Sequence, residues 1–391
     1  MPQTRAPDAI YLDHAATTPV RAEVLDAMLP FLGARFGNPS STHRWGREAR
    51  VALDEARERV AATLGAHTDE ICFTSGGTEA DNLAVLGTWR ARRAARPAIV
   101  TSPVEHKAVL ETVHQAAREG GEERCCRITG EGQVDVASVD ALTDERTALV
   151  SVMWVNNEIG TIQDVPRIAA IAKERGAVMH TDAVQAFGKI EVDVGRVPVD
   201  VLTISGHKIG APKGIGAIFI RRGVTIEPLF HGGTQDRGRR PGTENVAAAV
   251  GLARAAELAV AQRERESARL RVLRDELEAA ILGAVPDAVV HGRGAPRAAH
   301  ILSLSVPGVD GETMLMALDL QGVACSAGSA CQSGSVTPSH VLAAMGVRPD
   351  LASSSVRMSL GSLTTPECVR RVAALFPALV RKARGAPVGA A

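Results

Sequence analysis

Reactive side chains follow five strand-like segments in the first half of the chain, each where an apolar, β-branched run ends. Ligands of open α/β sheets bind beyond the carboxyl ends of the strands. These side chains therefore predict a small-molecule site at one sheet edge. In chain order they are Ser75 with Gly76, Gly77 and Thr78; Glu105 and His106; Asn156, Asn157 and Glu158; Asp182 and Gln185; and Ser205, His207 and Lys208.

Lys208 and Asp182 indicate one kind of chemistry at that edge. Lys208 directly follows a predicted buried strand, and a partly desolvated lysine can lose its proton and form a Schiff base with an aldehyde. Asp182 ends a neighbouring predicted strand, where a carboxylate would keep a pyridine nitrogen protonated. Taken alone, the lysine also fits a surface position after a strand.

A glycine-rich segment, TSGGTEADN (74–82), adds a third feature. Its glycines let the backbone approach a ligand closely, and the N–H groups of a helix start favour a phosphate. A plain helix cap by Thr78 is the alternative interpretation. A lysine, a carboxylate and a phosphate cradle are together what pyridoxal 5'-phosphate requires, so this aldehyde is the predicted cofactor.

The elements that must position these residues alternate between helical periodicity and short apolar runs from about residue 43 to 250. This alternation is typical of βα units and a largely parallel, buried sheet. The predicted helices lie near 44–64, 78–95, 107–119 and 166–175, and the predicted strands at 71–75, 98–102, 147–155, 177–182, 199–205 and 216–220.

After Pro241 the character of the chain changes. An Ala-, Leu-, Arg- and Glu-rich stretch at about 244–283 predicts a helix followed by a second helix. Beyond it the pattern predicts strands at 300–306 and 355–361, helices near 311–321 and 365–384, and a loop around 325–337. We expect a large domain over residues 15–260 and a smaller α+β domain over 261–391 that residues 1–14 join.

Composition and charge exclude several classes of partner. Lys plus Arg and Asp plus Glu each number 44, so the formal net charge is zero. This balance argues against a partner held by a phosphate backbone or an anionic membrane surface. With 7 Phe, 3 Trp and 1 Tyr, the chain also has too few aromatic residues for stacking single-stranded nucleic acid.

Location and redox state are predicted from what the sequence lacks. The N-terminal segment has no apolar stretch typical of a signal peptide, and no apolar run approaches the roughly 20 residues of a membrane span. We therefore expect a cytoplasmic protein with no direct nucleic-acid or membrane partner. The six cysteines form no CxxC pair, so reduced thiols and no metal site are expected.

Ordered segments over nearly the whole chain carry a resemblance to a known family. They are YLDHAATTP (11–19), GNPSSTH (37–43), TSGGTEADN (74–82), EHKAVL (105–110), VNNEIGTIQ (155–163), TDAVQAFGK (181–189), SGHKIGAPKGIGA (205–217), HGGTQDRGRRPGTEN (231–245), GSACQSG (328–334), PSHVLAAMG (338–346) and SVRMSLG (355–361). The chain thus resembles the cysteine desulfurases of the NifS/IscS type, within the class V aminotransferase-like, fold type I pyridoxal phosphate enzymes. The resemblance implies an α/β fold with a mostly parallel sheet and a smaller α+β C-terminal domain.

Position by position, the resemblance implies roles for single residues. Lys208 corresponds to the Schiff-base lysine, His106 to a histidine that stacks on the pyridine ring and helps move protons, and Asp182 to the partner of the pyridinium nitrogen. The other residues implied to bind the cofactor are Asn157, Gln185, Gly77, Thr78, Ser205, His207 and, in the neighbouring subunit's site, Thr243. A homodimer with shared sites is therefore implied. Asn38 and Arg357 match groups that hold the α-carboxylate of the substrate, a role that suits the planar fork of arginine.

The GSAC cysteine, Cys331, separates the reactions that this cofactor allows. Cys331 corresponds to a family cysteine that takes the sulfur of L-cysteine as a persulfide while L-alanine leaves. The resemblance therefore implies that the sulfur then passes from Cys331 to an acceptor protein of iron–sulfur cluster assembly or thio-modification. The long loop at 325–340 resembles the iron–sulfur assembly group. Alternatives are a selenocysteine lyase, a small-amino-acid aminotransferase, and a non-catalytic scaffold.

Three departures from the family's usual pattern affect the expected pocket more than the cofactor. The chain has DHAATT for DNAATT, Trp154 where His or Leu is common, and GGTQDRG for GGGQERG. His14 and Trp154 are expected to alter the pocket wall or the subunit contact.

Overall fold

The computed structural model describes residues 9–327 and 339–385. Within these residues the strands are β1 (Ile10–Tyr11), β2 (Ile71–Thr74), β3 (Ala98–Thr101), β4 (Glu122–Cys125), β5 (Thr147–Ser151), β6 (Val178–Asp182), β7 (Val201–Ser205), β8 (Gly216–Ile220), β9 (Val289–Val290), β10 (Ile301–Ser305), β11 (Val323–Ala324) and β12 (Ser355–Ser359). The helices are α1 (Ala22–Leu32), α2 (Arg44–Leu64), α3 (Gly77–Asn82), α4 (Thr88–Arg92), α5 (Lys107–Arg118), α6 (Val136–Leu142), α7 (Val165–Glu174), α8 (Val246–Ala284), α9 (Gly311–Leu320), α10 (His340–Ala344), α11 (Pro349–Ser353) and α12 (Pro366–Gly385).

A seven-stranded sheet in the order β2-β8-β7-β6-β5-β3-β4 forms the centre of the described chain. Its strands are parallel except for β8, which pairs antiparallel with both β2 and β7. Every residue of the six strands other than β4 is buried, because helices cover both faces of such a sheet. The predicted mostly parallel α/β sheet is confirmed.

The direction of the strands brings the predicted reactive residues to one edge. Strands β3, β5, β6 and β7 are parallel, and β2 runs the same way because it and β7 are both antiparallel to β8. The segments that follow β2, β3, β5, β6 and β7 therefore all emerge on the same side of the sheet. These are the segments that begin near Ser75, Glu105, Asn156, Asp182 and Ser205.

Helix α8 corrects one prediction from the sequence. The stretch after Pro241 forms one continuous helix of 39 residues and not a helix followed by a second helix. Its first half packs Leu252 and Ala256 into the core around the large sheet, and its second half packs Leu273 and Leu277 into a different core. No proline interrupts the helix between these halves, so it continues from one core to the other.

The second core surrounds two small sheets. Strands β12, β10 and β9 form an antiparallel sheet, and β1 pairs in parallel with β11. Ile10 and Leu12 from the start of the described chain share this core with Val356 and Phe376. This packing supports the predicted small domain, and the division at residues 260 and 261 stays a prediction.

Several elements differ from their predicted extent. The elements that have no predicted counterpart are α1, α6, α10, α11, β1, β4, β9 and β11. Strand β4 is short, polar and half-exposed at the sheet edge, so it lacks the apolar run that marks a buried strand. The predicted strand 147–155 ends at Ser151, and the predicted helix 78–95 is α3 and α4 joined by a π-helical turn, Leu83–Gly87. None of the helices in the described part of the chain is both long enough and apolar enough to cross a membrane.

Candidate active site

A cavity of about 410 Å³ lies at the edge where the parallel strands end. It is large enough for a small-molecule cofactor. Ten of the predicted site residues line it: Gly77, Thr78, His106, Asn157, Asp182, Gln185, Ser205, His207, Lys208 and Arg357. The sheet therefore brings together residues that are up to 280 positions apart, since Gly77 and Arg357 line the same cavity.

Lys208 stands in the short turn that follows β7. Its Nζ donates hydrogen bonds of 2.7 Å to the carbonyl oxygens of both Ala15 and Ala16. The turn itself is closed by the N–H groups of Ile209 and Ala211, which both donate to the Gly206 carbonyl. These hydrogen bonds fix the backbone of the turn, and the Lys208 side chain extends from it to line the cavity.

Asp182 is the last residue of β6 and is 5% exposed. Its Oδ1 accepts a hydrogen bond of 2.8 Å from the Val184 N–H. Burial raises the pKa of this carboxyl, and the nearby His106 partly opposes the increase. A carboxylate that is kept from water in this way gains most from a cationic partner inside the cavity.

His106 caps the start of α5. Its Nδ1 accepts a hydrogen bond of 3.1 Å from the Ala108 N–H, so a neutral ring carries its proton on Nε2. Burial lowers the pKa of His106, with Asp182 acting in the opposite direction and Lys208 adding to the decrease. The ring is therefore neutral near pH 7 and can give or take one proton.

The start of α3 forms the candidate phosphate cradle. Gly76 adopts a φ of 156°, and a Cβ on Gly77 would lie 3.0 Å from a methyl group of Val184, so both positions favour glycine. The hydroxyl-bearing Thr78 and Ser205 line the same cavity, and a Cβ on Gly77 would lie 3.5 Å from the Ser205 Cβ. Open backbone N–H groups at a helix start and hydroxyl donors suit a phosphate dianion.

His207 completes the cradle residues. Its Nδ1 lies 3.1 Å from the Thr17 hydroxyl, which fixes the ring. Burial lowers the pKa of His207 to about 4, with a further decrease from Lys208 and Lys213. His207 is thus a neutral hydrogen-bonding group at neutral pH. Together, the lysine, the buried carboxylate, the capped histidine and this cradle fit pyridoxal 5'-phosphate.

Gln185 and Arg357 are both held by neighbouring groups. Gln185 donates from Nε2 to the Ala15 carbonyl at 2.8 Å, and its Oε1 lies 3.2 Å from a nitrogen of His300. Arg357 donates 3.0 Å to the Asn157 carbonyl and 2.9 Å to Asp13. Its Nε is buried and has no hydrogen-bond partner among the described residues.

Three residues at or beside the cavity were given no individual role from the sequence, although Glu105 was predicted as one of the reactive strand-end side chains. Asp81 lines the cavity, accepts a hydrogen bond of 2.6 Å from Thr203 and has its pKa raised by burial. Glu105 and His340 are joined by a hydrogen bond of 2.9 Å between His340 Nε2 and the Glu105 carbonyl. All three belong to segments that carried the resemblance, which was the available signal; their contacts depend on the folded chain.

Two of the predicted site residues that the structure describes do not line the cavity. Asn38 and Thr243 are exposed, and neither lines it. Asn38 uses its side-chain oxygen to accept a hydrogen bond from the Ser40 N–H. Cys331 lies outside the described residues.

A parallel sheet whose edge presents a lysine, a buried carboxylate and a glycine-started helix defines the class of fold type I pyridoxal phosphate enzymes. The chain belongs to the class-V aminotransferase family, which matches residues 10–372. Both the predicted family and the predicted cofactor are thereby confirmed.

Named relatives place the chain more closely within that family. It is 45% identical over 375 residues to a cysteine desulfurase IscS of Dictyoglomus turgidum, covering 96% of this chain and 95% of the relative. It is 43% identical over 376 residues to the cysteine desulfurase NifS of Azotobacter vinelandii, covering 96% and 93%. A solved structure of a NifS-like protein is similar with a TM-score of 0.89 and 36% identity, over 96% of this chain and all of the other.

Proposed function

We propose that the chain is a pyridoxal 5'-phosphate-dependent cysteine desulfurase, which removes sulfur from L-cysteine and releases L-alanine. The observation that carries this proposal is the convergence of Lys208, Asp182 and His106 on one cavity that Arg357 also lines. The relatives support the same reaction, and a selenocysteine lyase or an aminotransferase is not favoured. A non-catalytic scaffold gives no reason to bury the Asp182 carboxyl, because burial disfavours its charged form.

The cofactor, when bound, supplies an electron sink for the α-carbon of the substrate. Asp182, which Val184 holds by one oxygen, would pair with the protonated pyridine nitrogen. Lys208 would hold the cofactor through its amine and would move protons at the substrate's α-carbon. His106 gives or takes a proton at Nε2, because Ala108 occupies Nδ1.

Arg357 binds the α-carboxylate of the substrate. Its side chain is 3% exposed and ion-paired to Asp13, which fixes the plane of the guanidinium. The buried Nε keeps one donor available for a ligand. A predicted contribution of Asn38 to the same carboxylate stays a prediction.

Cys331 is the proposed sulfur-accepting nucleophile, by resemblance of its GSAC segment. The thiols that the structure describes support this choice by their surroundings, since a thiolate is needed for the attack. Burial raises the pKa of Cys325 to about 12, and it also raises the pKa values of Cys72 and Cys126. These three are disfavoured as thiolates at neutral pH.

A homodimer is proposed for the working enzyme. Exposed apolar side chains cluster on α1 and just beyond it: Leu25, Leu29, Leu32 and Phe36 are 48%, 53%, 63% and 73% exposed. Large apolar patches of this kind mark protein–protein contacts. A second copy of the chain would cover them and would bring the exposed Thr243 to the phosphate of the neighbouring site.

The destination of the sulfur is proposed from the resemblance alone. The persulfide passes to an acceptor protein of iron–sulfur cluster assembly or thio-modification, and the reaction takes place in the cytoplasm. Incubating the purified enzyme with radiolabelled cysteine in a cell extract, then identifying the labelled protein, tests this step. Label that stays in small molecules only would contradict a protein acceptor.

Replacing Cys331 by Ala tests the reaction as a whole. The variant should lose sulfide release from cysteine and keep the visible absorbance of the bound cofactor. Cys325→Ala is the matched control and should retain activity. Full activity in Cys331→Ala would refute the role of Cys331, and amino transfer that requires a keto acid would favour the aminotransferase.

A further inference from the structure

Lys189 lies directly behind the lysine that is proposed to hold the cofactor. It ends the segment TDAVQAFGK and its Nζ donates a hydrogen bond of 3.0 Å to the Lys208 carbonyl. Both lysines line a small second cavity of about 80 Å³. The proposed function gives Lys189 no role.

The backbone around Lys189 is built to bring it close to helix α8. Gly188 has a φ of 72°, and a Cβ there would lie 2.7 Å from the Cβ of Ala259. Ser267 donates a hydrogen bond of 2.6 Å to the Lys189 carbonyl. The close packing at Gly188 and the hydrogen bond from Ser267 therefore fix the backbone of Lys189 against α8.

The charged groups around Lys189 are mainly cationic. Arg21 approaches from the segment before α1, and Lys208 from the turn after β7; both repel the ammonium. His14 and His300 also face it, and burial lowers the pKa of each, so both are neutral.

Acidic compensation for Lys189 is weak. Glu266 of α8 lines the small cavity, but its carboxylate is 2.8 Å from Arg269. Among the residues that the structure describes, no carboxylate offsets the effect of these cations on Lys189. Burial and the repulsion from Lys208 and Arg21 together lower the pKa of Lys189 to about 8. At neutral pH, Lys189 is therefore protonated in most of the protein molecules.

Repulsion between two ammonium groups is mutual, so a charged Lys189 favours the uncharged form of the Lys208 amine. It acts against the Asp182 carboxylate and the carbonyls of Ala15 and Ala16, which favour the charged form. Only the uncharged amine attacks an aldehyde: its lone pair forms the bond to the carbonyl carbon, and its two protons leave with the aldehyde oxygen as water. A neighbouring cation is one of the established ways in which proteins activate such a lysine.

We propose that Lys189 is a positioning residue for Lys208: it anchors the backbone of the Lys208 turn and, through its charge, keeps the amine reactive at neutral pH. This inference rests on the proposed function of Lys208. It assigns to Lys189 an effect on cofactor attachment, which is measured separately from turnover.

Three variants separate the charge from the hydrogen bond. Lys189→Met removes both, Lys189→Gln keeps a donor without the charge, and Lys189→Arg keeps both. The test adds pyridoxal 5'-phosphate to each apoenzyme and follows the visible absorbance of covalent attachment from about pH 6.5 to about pH 9.5. Met and Gln should raise the midpoint pH by about one unit and slow attachment near pH 7 about tenfold, whereas Arg should behave as the parent enzyme.

Lys213→Met is the matched control, because Lys213 is an exposed lysine close to the same turn. It should leave the midpoint unchanged. An unchanged midpoint in Lys189→Gln, or an equal shift in Lys213→Met, would overturn the inference. Should the Met variant fail to fold, the comparison of Gln with Arg still decides. Cofactor attachment that persists in Lys208→Ala would instead contradict the proposed function.

Discussion

Glu105 supplies a prediction whose size follows from its surroundings. The residue precedes His106 and is 0% exposed. Its carboxyl group accepts hydrogen bonds from the Ser102 hydroxyl and, at 2.8 Å, from the Met153 N–H. Burial raises the pKa of Glu105 to about 8, and the two hydrogen bonds only partly oppose this increase. The native enzyme therefore holds a proton on Glu105 at pH 7.

Replacing Glu105 by Gln should change how stability depends on pH. The unfolded chain releases the glutamate proton near its ordinary pKa of 4.5, whereas the native state keeps it to about pH 8. Between these values the native state binds more protons, so the free energy of unfolding falls as pH rises, by about 1.4 kcal/mol per pH unit. Glutamine has no proton to release and loses this slope.

Urea unfolding of the parent enzyme and the Gln variant at about pH 5.5, 6.5 and 7.5 measures the effect. Relative to the parent, the free energy of unfolding of the variant should rise by about 3 kcal/mol across this pH range. Glu111→Gln, at a 68% exposed side chain on helix α5, which begins just after Glu105, is the control and should follow the parent slope. Parallel slopes for the parent and Glu105→Gln would show that the native carboxyl is charged and would refute the reasoning.

Two further substitutions have expected effects of known direction. Arg57 and Asp236 form an ion pair at 2.6 Å, with side chains 4% and 1% exposed, so Asp236→Ala leaves the buried guanidinium without its ionic partner. Urea unfolding should show that the free energy of unfolding falls by about 3–5 kcal/mol. A decrease below about 1 kcal/mol would contradict a buried pair. Arg357→Lys keeps the charge but not the planar fork, so KM for cysteine should rise about tenfold with a smaller change in kcat, because the contact binds the carboxylate in both ground and transition states. An unchanged KM in steady-state assays would remove Arg357 from the substrate site.

The fold was predictable where local pattern and burial agree. Strands β2, β3, β6, β7 and β8 are short, fully buried segments that begin with apolar residues, and the structure places them within two residues of the predicted bounds. The direction of β8 was not predictable, because strand polarity depends on which neighbour a strand pairs with and not on its own residues. The continuity of α8 was missed for a similar reason, since its two halves pack into different cores, which depends on the folded chain and not on the helix's own residues.

The candidate site was predictable as a set of residues but not as a geometry. Lys208 and Asp182 follow strands, so their common edge could be inferred. Nothing in the sequence indicates that Lys208 donates hydrogen bonds to the carbonyls of Ala15 and Ala16, or that the Glu105 carboxyl accepts one from the Met153 N–H. These contacts join segments up to 193 residues apart and arise only from the packing of the folded chain.

Reduction of the cofactor-loaded enzyme with borohydride, followed by peptide mass spectrometry, tests the central claim most directly. The reduction fixes the cofactor on the amine that holds it. The account predicts the modification on Lys208 and none on the neighbouring Lys189. A cofactor found on another lysine, or on none, would contradict it.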